Sequence, residues 1–148
     1  MSLLSFSLAA SLLAGGSDAL AQYQPGVYSS SQEYVQNRPW QPGTVSSPAA
    51  THSYFEVVNA NSYAVHRVPL AHAWGYTDAH GVSFRLVKGK AYRVQPQQNG
   101  LTVYSRPRTL QNGRYTQVVT EYFYSQGLDG ELHSLTRRTR QQQGLAVS

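Results

Sequence analysis

The chain contains no cysteine. That excludes a disulfide framework, a thiolate zinc site, a cysteine nucleophile and a lipid anchor attached through a thiol. Carboxylates are scarce as well: Asp and Glu total 7 in 148 residues, so paired acid–base groups have few candidates. No G-x-S-x-G elbow, H-E-x-x-H pair or glycine-rich phosphate loop occurs. The length admits one ordinary domain and excludes an α/β barrel or a doubly wound dinucleotide fold.

No apolar stretch is long enough to cross a bilayer. Residues 3–14, LLSFSLAASLLA, are uncharged, but as a helix they rise only about 18 Å against a hydrocarbon core of about 30 Å. Ala19-Leu20-Ala21 follows, the small-x-small pattern that the shallow pockets of an exporting signal peptidase require. Residues 1–21 therefore read as a signal peptide, with the terminal amine as its positive charge. The expected location is extracytoplasmic, periplasmic or secreted, with no permanent membrane span. Removing the leader takes Asp18 with it, so the mature chain is one charge more basic than +5. That balance favours an anionic envelope polysaccharide, an anionic lipid or an acidic protein. Export makes nucleic acid the least accessible partner.

Residues 22–53 consist largely of Gln, Ser, Pro, Gly and Tyr, broken by Pro25, Pro39, Pro42 and Pro48. Such a stretch reads as a disordered tether. From Tyr54 short β-rich runs alternate with turn signals: Lys88-Gly89, Asn99-Gly100, Asn112-Gly113 and Asp129-Gly130. Residues 54–140 are expected to form a single all-β domain, an antiparallel meander of about six strands curled into a barrel-like or sandwich core. Residues 141–148 are expected to be a flexible end, and Thr136-Arg-Arg-Thr-Arg140 before it a solvated basic patch. Strands are expected near 63–68 and 71–77, with Trp74 as a core anchor. Residues 115–125 are apolar on both sides and are expected to be central or covered.

Residues 82–106 support a register argument. A three-residue connection over Lys88-Gly89-Lys90 would pair Leu86 with Tyr92, Arg85 with Arg93 and Phe84 with Val94, gathering the apolar residues on one face. Around Asn99-Gly100, either a two- or a four-residue loop sends Leu101 and Val103 inward and Tyr104 and Arg106 outward. The opposite face would then display Arg85, Arg93 and Arg106 with Tyr104 among them. Guanidinium groups beside a phenol ring suit carboxylate, sulfate or phosphate groups and sugar faces. These four residues are the candidate binding site.

Other chemistry finds less support. Asp78 and Asp129 sit at turns, where Asp bonds its own backbone. Glu121 lies in mid-strand and is expected to pair with an Arg across the sheet. Of the histidines, His52, His66, His72, His80 and His133, no two have the i, i+2 or i, i+4 spacing that holds an ion locally. Neither a metal nor a cofactor is expected. The leading expectation is an exported, non-enzymatic interaction module contacting an anionic polymer or acidic partner through the Arg/Tyr face. The alternatives are a small hydrolase using Glu121 with a histidine, which needs a concave pocket, and a structural subunit of a surface assembly, which needs an exposed strand edge.

Overall fold

The computed structural model describes residues 22–46 and 52–147. The segment read as a signal peptide lies outside them, as do residues 47–51 of the expected tether. The fold is all-β, and the described residues form eleven strands in two antiparallel sheets where about six had been expected. Neither sheet closes into a barrel among the described residues.

The larger sheet contains β1 (Gly26–Tyr28), β2 (Gln41–Pro42), β6 (Gly75–Thr77), β7 (Ser83–Val87), β8 (Lys90–Val94), β9 (Leu101–Asn112), β10 (Tyr115–Gln126) and β11 (His133–Ser134), in the order β11-β10-β9-β8-β7-β6-β1-β2. The smaller contains β3 (Thr44–Ser46), β4 (Tyr54–Val58) and β5 (Val65–Pro69). The described residues also hold two short α-helices, α1 (Ser31–Val35) and α2 (Arg137–Gln143). Leu70–His72 forms a 3-10 turn, so the strand expected at 71–77 begins only at Gly75. A Cβ there would lie 2.3 Å from the Phe84 carbonyl oxygen, and only glycine permits that approach of β6 to β7.

Residues 22–46 are not a tether. Val27 and two tyrosines supply burial that composition alone conceals: Val27 and Tyr28 are fully buried and Tyr34 is 5% exposed, whereas Trp40 is exposed. Tyr34 packs edge-on to Tyr28 and tilted against Trp74. Ser30 caps α1 by accepting from the Glu33 amide, and the Glu33 carboxylate accepts from the Ser29 amide. This reciprocal arrangement satisfies amides at the start of the helix.

The chain's end is folded too. Thr136 caps α2, Gly144 closes it in the left-handed region, and Leu145 is buried against Val103 and Leu135. The expected flexible terminus is instead the cover of a second apolar cluster. The first cluster joins Val27, Tyr76, Phe84 and Leu86 of the large sheet to Val45, Phe55, Val57 and Val68 of the small one. Both clusters lie on one face of the large sheet, because Val27, Tyr76, Phe84, Arg93, Ser105 and Tyr122 are successive ladder partners.

Candidate functional site

The expected Arg row fails at one turn. Lys88 and Gly89 take φ of 50° and 72°, a two-residue type I′ connection, and Val87 pairs with Lys90. Phe84 is therefore opposite Arg93 and Arg85 opposite Tyr92. A one-residue shift exchanges the faces of every side chain on the strand. Phe84 and Val94 point to opposite faces, and Arg93 leaves the row for the face of Phe84 and Ser105. This register also avoids opposing two guanidinium groups across the ladder.

Arg85, Tyr104 and Arg106 do share the other face, but not as a solvated patch. Arg85 is 8% exposed and Tyr104 is fully buried. The Arg85 Nη1 donates to the Tyr104 hydroxyl at 3.2 Å, and the guanidinium lies 5.6 Å from that ring. Tyr104 and Ser125 share a hydrogen bond of 3.1 Å, and Ser125 donates to the Gly127 carbonyl at 2.6 Å. The two ion pairs among the described residues, Arg67–Glu56 and Arg108–Glu121, do not include Arg85. The Arg85–Tyr104 pair thus belongs to the interior.

Arg106 marks the start of a different surface. β8 pairs with β9 only at Arg93–Ser105 and Val94–Tyr104, and β11 pairs with β10 only at Phe123 and Tyr124. Between these limits β9 and β10 pair with each other alone, from Arg106–Glu121 to Asn112–Tyr115. Residues 107–118 are exposed throughout. Six residues per strand extend this ribbon about 20 Å. The expectation that 115–125 would be covered fails over its first half: Tyr115 is 82% and Val118 67% exposed.

The ribbon is basic. Arg106, Arg108 and Arg114 are accompanied by one carboxylate, Glu121. Arg108 Nη1 donates to Glu121 Oε1 at 2.8 Å, the cross-strand role expected for that Glu, and Arg106 lies 5.7 Å above the Tyr92 ring at the ribbon's root. All five histidines are exposed. Glu121 faces an Arg on a projecting ribbon, whereas the hydrolase reading needs it in a concavity with a histidine. Among the described residues no three His, Asp or Glu side chains gather to hold a metal ion. Arg108 and Arg114 were missed because β9 and β10, twelve residues each, run past β8 with five and β11 with two, and the sequence signalled only the turn at Asn112-Gly113.

Between α1 and the β8–β9 connection the same face opens into an aromatic cleft. Tyr23 stacks on Tyr34 with centroids 4.2 Å apart. Burial pushes the Tyr34 hydroxyl above the ordinary tyrosine range, and burial does the same to Tyr28. Trp74 is half-buried, and its Nε1 donates to Asp129 at 2.9 Å. Comparison with protein-family models, curated proteins and solved structures yields no match, so function must be argued from this geometry.

Proposed function

We propose that the chain is an exported, non-enzymatic interaction module that contacts an anionic polysaccharide through the β9–β10 ribbon. The carrying observation is the free-standing ribbon with three Arg against one Glu. Arg106 and Arg108 lie two residues apart on one strand face, so their Cα atoms are about 7 Å apart, a spacing suited to recurrent negative charge along a polymer. The ribbon's apolar residues are spread over both faces, with Leu110 and Tyr115 on one and Val118 on the other. That dispersal favours a polymer over a membrane surface, for which one continuous apolar side is the better match.

The test is equilibrium binding of the mature chain to an acidic polysaccharide such as alginate, across a salt series, beside vesicles containing anionic phospholipid. Affinity is expected to fall steeply with salt. The triple variant Arg106→Gln, Arg108→Gln, Arg114→Gln is expected to bind at least about tenfold more weakly, the equivalent of some 1.4 kcal/mol. No binding at low salt, equal binding by the triple variant, or preference for vesicles would overturn the polysaccharide reading.

A second reading has its own observation. Among the described residues, no strand pairs with the outer edges of the ribbon over residues 107–112 and 115–121, as a structural subunit of an assembly requires. It predicts concentration-dependent oligomers in sedimentation that disappear when proline replaces an edge residue of the ribbon.

A further inference from the structure

The aromatic cleft has a volume of about 740 Å³ and is lined by Tyr23, Tyr34, Gln97, Thr102, Leu128 and Asp129 among others. That is the size range of small-molecule sites. It lies on the opposite side of the large sheet from β3–β5, because Thr102 shares the face of Tyr104. Its chemistry has two halves. One wall is the stacked Tyr23–Tyr34 pair: Tyr34 is buried, so half-buried Tyr23 is the ring that meets C–H surfaces. The other is polar and contains a single carboxylate, Asp129, whose hydrogen bonds come from two neutral donors, Trp74 Nε1 and Ser31 Oγ. Thr102 is only 2% exposed, and its Oγ1 is buried without a hydrogen-bond partner. A buried hydroxyl left in that state is costly and calls for a partner.

These halves select a ligand class. An apolar ligand would satisfy the rings and leave Thr102 as it stands. Arg93 also lines the cleft, but its side chain belongs to the opposite sheet face with Phe84 and Ser105, so a phosphate or sulfate would meet the Asp129 carboxylate. A pyranose ring presents C–H groups on one face and hydroxyls around its edge, and so matches both walls. We propose that this cleft binds an uncharged saccharide segment, with one sugar ring against Tyr23 and its hydroxyls bonded to Asp129 and Thr102. The inference stands apart from the role of the ribbon. The two surfaces nonetheless lie on one side of the sheet: Thr102 and Arg106 share a strand face four residues apart, about 13 Å.

The test is a titration of isotopically labelled mature chain with uncharged trisaccharides, cellotriose and tri-N-acetylchitotriose, followed by amide chemical shifts. The expected result is saturable shifts at Tyr23, Thr102 and Leu128 with none at 108–118. Thr102→Val, which keeps the side-chain shape, and Tyr23→Ala are expected to weaken binding about tenfold. Gln97→Ala, at an exposed position of the cleft's rim where the fold tolerates substitution, is expected to weaken binding as well. The triple Arg variant of the ribbon is expected to bind the trisaccharides unchanged, so loss of polysaccharide binding with retained trisaccharide binding isolates a failure of the ribbon alone. Absence of saturable shifts up to about 10 mM, beyond weak millimolar binding, overturns the proposal. Shifts confined to residues outside the cleft, or full binding by Thr102→Val and Gln97→Ala together, do so as well.

Discussion

A buried guanidinium without a carboxylate partner is the least ordinary residue in this fold. Arg85 spends a hydrogen bond on the Tyr104 hydroxyl, which passes the polarity on through Ser125 to the Gly127 carbonyl. Tyr104→Phe removes the middle of that chain and takes the acceptor from Arg85 Nη1, while Ser125 keeps its bond to Gly127, with an expected cost of about 1–3 kcal/mol in urea denaturation. An unchanged midpoint would mean that Arg85 is solvated. Tyr34 carries a separate, pH-dependent term. Burial raises its ionisation above the ordinary value of about 10, so the folded state binds the phenolic proton more tightly than the unfolded one. Its contribution is complete below about pH 10 and is lost as pH rises toward the folded-state value. Tyr28 acts with the same sign. Tyr34→Phe is expected to flatten the alkaline decline in stability, read by denaturant midpoints at successive pH values; an identical decline would assign it to other groups.

The elements divide sharply into packed and projecting ones. Phe55 on β4 is fully buried, and Phe55→Ala is expected to cost about 3–5 kcal/mol. Tyr115→Ser and Val118→Thr on the ribbon are expected to stay within about 0.5 kcal/mol of the parent. Comparable losses from both would show the ribbon packed against something in solution. The same division explains what was legible in the sequence. Glycine-containing dipeptides marked the hairpins at Lys88-Gly89, Asn99-Gly100 and Asn112-Gly113, and the all-β class followed from them. The register at Lys88-Gly89 did not. Apolar residues occur on both sides of these strands, Phe84, Leu86 and Ala91 on one and Tyr92 and Val94 on the other, so a one-sided sheet was the wrong assumption. The turn itself held the better signal, since X-Gly at a two-residue reversal matches the strand twist. The tether reading failed for a related reason: Gln, Ser and Pro dominate residues 22–46, but a few large aromatics decide whether such a segment packs.

Across the whole molecule, one face of the long sheet carries two separate apolar clusters, and each needs a cover from a distant part of the chain. The small sheet covers the first. The second depends on the C-terminal residues: Leu145 reaches Val103 and Leu135, the Gln98 amide bonds the Ala146 backbone at 2.8 and 2.7 Å, and Asn99 Nδ2 donates to the Gln143 carbonyl at 3.0 Å. These bonds fasten the β8–β9 turn to the residues after α2. A solvated tail would be dispensable; this one closes a hydrophobic seam. Deleting residues 141–148 exposes Val103 and Leu135 together, and Leu145→Ala alone empties the site. Either change is expected to cost about 2–5 kcal/mol, read as a lower denaturant midpoint with loss of amide protection at Leu101 and Val103. A deletion that left the midpoint in place would remove Leu145 from the core and return the chain's end to the solvent.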